Sequence, residues 1–304
     1  MIGGDASSLK PSTNANQRLE LQRTQVEQLD AFIWPQTHSL WEIMRATRRT
    51  RYDVVTVQDP FWRGLIACLV VRKARLNVQL HTELVHQSWF RRFMAVWVLR
   101  RADSARVVSE RIRREVIAIR PNLPVTVLPV YIDVTRFAGV QHRAHSRFAK
   151  TLLWIGRFEA EKDPLAAIDV LDAVRRKGVD AGLAFLGSGS LESSLRAKVK
   201  ERGLHDHVEF APWQDPVAYL GMADLLLNTS LYEGYGAVIV EALAAGVPVV
   251  APDVGVAKEA GAVVAPRAQL GDTAAKVLQS GERGTLRLTL PSEEEWARAW
   301  KASL

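Results

Sequence analysis

Two glutamates, Glu233 and Glu241, flank the run Gly234-Tyr235-Gly236-Ala237-Val238, and the residue types in this stretch suit a ligand with phosphate and hydroxyl groups. Gly234 and Gly236 carry no Cβ, so the backbone there can turn sharply and approach a ligand closely. Ala237 to Ala245 is a run of helix formers, and the first turn of such a helix presents unpaired N–H groups at the same place, a ready anion site. A carboxylate beside a phosphate is unfavourable unless it turns to a neutral donor. An ionised carboxylate only accepts hydrogen bonds, which suits Glu233 and Glu241 to sugar hydroxyls.

Four further groups stand at comparable places. Arg157 follows the apolar run Thr151–Ile155, and Lys162 precedes a helix-forming run from Pro164 to Lys177. Taken alone, both read as solvated charges near a helix start. Gly187 and Gly189 follow the apolar run Ala181–Leu186, as a plain turn or as a backbone approach to a nucleotide. His81 ends the run Leu76–His81, where a histidine is either hydrogen-bonded structure or part of a site.

The elements that must hold these groups alternate. In the first half, helices are expected at Arg18–Leu29, Leu40–Thr50, Trp62–Arg72, Ser88–Arg101 and Glu110–Ile119. Strands are expected at Ala31–Trp34, Tyr52–Val57, Leu76–His81, Ala105–Ser109 and Val125–Pro129. The second half repeats the pattern, with Gly246 as a helix C-cap and Val247–Ala251 as a buried strand. Strand–helix alternation predicts parallel sheets covered on both faces, in two doubly wound α/β domains with a cleft between them. In such sheets ligands sit beyond the C-terminal strand ends, where His81, Arg157, Gly187 and Glu233 all fall. The expected division is a first domain over 1–138, a polar linker over 139–150, a second domain over 151–290, and a final helix over 291–304 packing back on the first domain. Ser292 and Glu295 in that helix have capping-box spacing.

A chain of 304 residues is long enough for two domains of about 150 residues each. The single cysteine, Cys68, excludes a disulfide framework and a cysteine-based metal site, and fits a reducing, cytoplasmic setting. No apolar run approaches the ~20 residues of a membrane span. Charge is uneven: residues 1–150 carry 24 Lys and Arg against 12 Asp and Glu, whereas residues 151–304 carry 16 against 21. The basic half suits an anionic partner such as a membrane surface, or is a solvated face without one. Trp89, Phe90, Phe93 and Trp97, interleaved with arginines over Ser88–Arg101, could likewise lie on an anionic membrane or pack on the sheet. Trp154 and Trp213 read as packing residues.

The spacing Glu233…Glu241 together with Gly246-Val-Pro-Val-Val250 resembles the signature of the retaining glycosyltransferases of family 4, of the GT-B fold. Further segments are similar in the same order: Gly156-Arg157-Phe-Glu-Ala-Glu-Lys162, Leu186-Gly-Ser-Gly-Ser190, and Pro252-Asp-Val-Gly255 with Glu259. In the first half the likeness is carried by Val78-Gln-Leu-His81-Thr, Val107-Val-Ser109 and Leu128-Pro-Val-Tyr-Ile-Asp133…Arg136-Phe137. It covers roughly residues 50–265 and is strongest from 151 onward. Two departures stand out: Tyr131-Ile132 replaces the usual Asn-Gly, and the family's first strand is expected to be almost wholly missing, with Gly3-Gly4 as its remnant.

The resemblance implies that Glu241 binds the ribose of a nucleotide-sugar such as a UDP- or GDP-hexose, and Glu233 the hydroxyls of its sugar. Arg157 and Lys162 would grip the diphosphate, helped by the helix start at Gly236–Val238, and His81 would sit near the transferred sugar. Gly234, Tyr235, Gly187, Gly189, Gly3 and Gly4 would complete the binding surface. The implied reaction is metal-independent and cofactor-free transfer of a hexosyl group, with retention, to a glycan or lipid-linked acceptor, at the cytoplasmic face of a membrane. Nucleic acid is not an expected partner. The alternative of another class is a catalytically silent nucleotide-sugar-binding or membrane-docked protein. A GT-B sugar epimerase is a third.

Overall fold

The computed structural model describes residues 1–304 apart from Asp5, Ser12 and Arg72, and apart from the side chains of Ser7 and Asn14. The chain divides into two compact units, Met1–Tyr131 with Leu290–Leu304, and Ile132–Thr289.

Among the described residues the first unit holds a six-stranded parallel sheet in the order β2-β1-β3-β4-β5-β6. Its strands are β1 (Ile2–Gly3), β2 (Phe32–Ile33), β3 (Val54–Gln58), β4 (Arg75–Leu80), β5 (Ser104–Val107) and β6 (Val125–Val127). The first strand, expected to be almost wholly missing, is two residues long and has a neighbour on each side. Ile2 pairs with Phe32 on one side and Val57 on the other, the Phe32 and Trp34 amides bond to the Met1 and Gly3 carbonyls, and Ile2 is buried. Two residues suffice because their neighbours supply the ladder from both sides, a contribution invisible in a local pattern. The helix expected at Arg18–Leu29 lies earlier, at Asn14–Arg23, because the Thr13 side chain caps it by accepting from the Asn16 amide. The helix expected over Trp62–Arg72 is described as Trp62–Val70; Arg72 lies outside the described residues. The helix Leu40–Arg49 is opened by a reciprocal capping box between Ser39 and Glu42.

The final helix, Glu293–Ala302, has its own capping box and belongs to this first unit. Trp296 donates its indole N–H to the Pro129 carbonyl at 2.8 Å, Trp300 is 1% exposed, and Asn77 Nδ2 donates to the Ser303 carbonyl at 2.9 Å. The sheet face beneath that helix is polar, which is unusual for a parallel sheet. Thr56, Asn77, Gln79 and Arg106 are all buried on it.

In the second unit the strands are β7 (Lys150–Ile155), β8 (Ala181–Leu186), β9 (Val208–Ala211), β10 (Leu225–Leu227), β11 (Val249–Ala251) and β12 (Val263–Val264). They form a parallel sheet ordered β12-β11-β10-β7-β8-β9. Every residue of β8 is buried, as a strand covered on both faces requires. An aromatic cluster runs under the β7 and β8 ends, with Trp154 and Phe158 at 5.7 Å and Phe185 stacked on Phe210 at 5.3 Å. The expected linker at 139–150 is not a free segment, and the division falls earlier, after Tyr131. Arg136 pairs with Asp215 at 2.8 Å, the Arg143 amide bonds to the Gly221 carbonyl, and His145 stacks on the buried Phe148 at 4.5 Å. Asp215 and Gly221 are distant in sequence, so polarity alone misassigns the stretch.

Candidate functional site

The loops after β7, β8, β9 and β10 meet in the second unit around a cavity of about 410 Å³, a size that suits a small-molecule ligand. Gly156, Arg157, Gly187 and Ser188 line it from the loops after β7 and β8. Lys162, Glu233, Gly236, Ala237, Val238 and Glu241 also line it, and so does Trp213, 63% exposed.

Local sequence explains each position. Gly236 caps the helix Ala237–Ala244 in a left-handed conformation, φ 90°, which a residue with a Cβ rarely adopts. The first turn of this helix, Ala237 and Val238, thus stands at the cavity with amides that have no intrahelical acceptor. Gly187 is demanded by packing: a Cβ there would lie 1.9 Å from the Gly156 carbonyl oxygen. A Cβ on Gly189 would meet the Phe158 backbone at 2.6 Å. The second glycine loop is therefore stacked directly on the first.

Glu233 is 8% exposed, and its Oε1 accepts from Lys162 Nζ at 2.6 Å, Ser230 Oγ at 2.7 Å and Asn228 Nδ2 at 3.4 Å. The second oxygen, Oε2, has no protein partner among the described residues. Arg157, largely exposed, pairs with Glu161 at 2.6 Å, four residues on in the same loop. Both cations thus rest on carboxylates. Glu241 differs: among the described residues its carboxyl group has no hydrogen-bond partner. Burial pushes its carboxyl up to about 7; Arg136 opposes the rise and Asp215 adds to it.

Not every expected residue is here. Tyr235 is buried, its carbonyl accepting from the Val256 amide, and neither it nor Gly234 lines the cavity. His81, Gly3 and Gly4 belong to the first unit. Gly4 packs under Arg63, whose guanidinium a Cβ would meet at 1.9 Å. The His81 ring reaches solvent at the end of a buried strand, its Nε2 3.5 Å from Gln79 Oε1. The protein packed around the ring withdraws part of it from water and, with the charges of Arg106 and Arg18, holds the imidazole below its ordinary range.

The structure also adds residues. Asn228 and Ser230 orient Glu233, and Glu161 holds Arg157; only their position after β10 or four residues along could have signalled them. Trp154 is a packing residue, buried with its indole N–H donated to Thr229 Oγ1 at 2.9 Å. Trp213 is not: it stands exposed at the cavity, beyond the end of the edge strand β9, where no second layer covers it. Cationic side chains, helix amides and acceptor-only carboxylates in one cavity suit a ligand that carries both an anion and hydroxyls.

A family model described as glycosyl transferases group 1 matches residues 149–281, and one described as glycosyltransferase family 4 matches residues 10–136. The glycogen synthase of Mycobacterium tuberculosis is 31% identical over 196 residues, 59% of this chain and 46% of that protein. A GDP-mannose-dependent alpha-(1-6)-phosphatidylinositol monomannoside mannosyltransferase of Mycolicibacterium smegmatis is 29% identical over 257 residues, 74% of this chain and 66% of its own length. The chain thus spans about half the length of the first of these relatives. Among solved structures, an Anabaena protein in complex with UDP and glucose superposes with a TM-score of 0.67 at 18% identity, over 90% of this chain and 80% of that one. Sucrose-phosphate synthase from Thermosynechococcus elongatus gives 0.65 at 17%, over 92% and 80%. At such identities the structural likeness concerns the fold, two parallel α/β sheets of the GT-B kind.

Proposed function

Since the chain belongs to the group 1 glycosyltransferases of family 4, we propose that its second unit binds a nucleotide-sugar and that the protein moves the hexosyl group to a glycan or lipid-linked acceptor, with retention. The observation that carries this is Glu241, a carboxyl without a protein partner in the same cavity as a helix start and two cations. A ribose diol would supply its missing donors. Glu233, anchored through Oε1, would offer Oε2 to a sugar hydroxyl. Lys162, Arg157 and the amides of Ala237 and Val238 would meet the diphosphate, where negative charge grows as the sugar leaves. Fixed positive groups lower the barrier most at that point, so the chemistry proceeds without a metal or other cofactor.

Binding of UDP- and GDP-sugars followed by calorimetry, with donor hydrolysis measured in EDTA, tests the reading. Lys162→Ala should slow hydrolysis by about 10²–10³-fold. Unchanged turnover in that variant and unchanged nucleotide affinity in Glu241→Ala would sink it. The silent-binder alternative is separated from this reading by donor turnover. Binding without hydrolysis would favour it.

A membrane-facing role has its own support. Trp89, Phe93 and Trp62 are 81%, 64% and 57% exposed, with Phe90 between the two tryptophan rings and Arg91 and Arg92 alongside. Aromatic and cationic side chains together fit an anionic bilayer surface. No helix among the described residues is long and apolar enough to cross a membrane. Co-sedimentation with phosphatidylglycerol vesicles, lost in Trp89→Ser/Phe93→Ser, is the expected result.

A further inference from the structure

The polar sheet face of the first unit contains one group that its surroundings do not satisfy. Thr56 donates to Asn77 at 2.8 Å, Gln79 donates to Thr56 at 2.6 Å, and Asn77 donates to both Ser104 and the Ser303 carbonyl. Arg106, 6% exposed, has no such partner. Its Nη1 makes no hydrogen bond, and its guanidinium lies 5.9 Å from the Trp300 ring. No carboxylate among the described residues pairs with it. Burial disfavours its charge, yet a guanidinium keeps its proton at any working pH. An uncompensated buried charge is costly, and a ligand that brings the opposite charge is the usual reason a fold keeps one.

Register shows where that ligand would come from. Arg106 is paired in the ladder with Gln79, and His81 follows two residues later on the same face, at the C-terminal strand ends where parallel sheets bind ligands. Arg106 acts on the His81 ring, which marks that edge as positively charged. Gln22 Oε1 and Trp300 Nε1 are also unpartnered, and water could serve both. Water does not neutralise a guanidinium.

We propose that Arg106 is the counter-charge for an oxyanion carried by the acceptor, a phosphate ester or a carboxylate, so that the acceptor is anionic. This rests on the proposed glycosyl transfer, with the donor held by the second unit and the acceptor received by the first.

The test uses the full chain carrying Arg157→Ala/Lys162→Ala, which silences the phosphate-binding cations of the second unit. Inorganic phosphate or acetate is titrated while thermal unfolding of the first unit is followed. Phosphate is expected to protect this protein, and added Arg106→Met to weaken that protection about tenfold or more. Arg106→Lys, which keeps the charge, should retain part of it. Without anion the Met variant should be no less stable than its parent, because the charge it removes had no partner. Protection by phosphate alone assigns a phosphorylated acceptor; protection by acetate as well assigns a carboxylate. The proposal is overturned if neither anion protects the parent, or if the Met variant is protected as well as the parent. Failure of the glycosyltransferase reading would show separately, as absent donor hydrolysis in the wild-type protein.

Discussion

Glu241→Gln should stabilise the protein and disable it at once. The folded protein raises this carboxyl from 4.5 to about 7, chiefly by burial. Between those two values the folded state holds a proton that the unfolded chain has released, so stability falls as pH rises through the window and levels off above it. At about 1.36 kcal/mol per unit the shift corresponds to a ceiling of about 3 kcal/mol. The side chain is not fully sealed from solvent in its cavity, which brings the expected gain nearer ~2 kcal/mol. Glutamine keeps the shape and removes the charge. Urea unfolding of the ligand-free protein should therefore show the variant more stable than wild type by about 2 kcal/mol near pH 8.5 and by about nothing near pH 4.5. Nucleotide affinity in wild type should rise between about pH 6 and pH 8, as the accepting carboxylate forms, and the variant should lose that pH dependence. Equal stability of the two proteins near pH 8.5, or a gain of the same size at both pH values, would refute the reasoning.

Other substitutions separate structure from binding. Trp213→Ala should weaken UDP or GDP by about 1–3 kcal/mol if a base stacks on the exposed indole, and leave pyrophosphate binding unchanged in calorimetry. Gly187→Ala would drive a methyl group into the Gly156 carbonyl and should lower the urea midpoint of the second unit by about 1–3 kcal/mol, with loss of nucleotide binding. Trp300→Ala should destabilise the first unit by about 3–5 kcal/mol, while nucleotide titrations of the second unit continue to saturate normally.

The parts of this molecule legible in the sequence are those written in short, local patterns. Alternating apolar runs gave both parallel sheets, and the glycine loops with Glu233 and Glu241 marked one wall of a cavity. What escaped depends on partners far apart in the chain. Arg136 meets Asp215, Ser230 and Lys162 share one oxygen of Glu233, and β1 borrows its ladder from strands about 30 and 55 residues away. Trp213 was misjudged because an indole looks alike to a sequence pattern whether a second layer covers it or not.

The ion pair between Lys162 and Glu233 makes the filling of the cavity a change of partners. For Lys162 to turn to a phosphate, Glu233 must give up its cation, and the loss is small only if a sugar hydroxyl arrives to take that place. A complete donor brings both replacements together, whereas a bare nucleoside diphosphate brings one and leaves a stranded carboxylate behind. On the proposed transfer, the same pair would favour re-forming once the hexose had gone, and the spent nucleotide would leave. The retention of substrate and the ejection of product would then be one exchange run in opposite directions. Glu233→Gln, which has no charge to strand, should bind the bare diphosphate more tightly relative to the full donor than wild type does; an unchanged ratio would argue against the exchange.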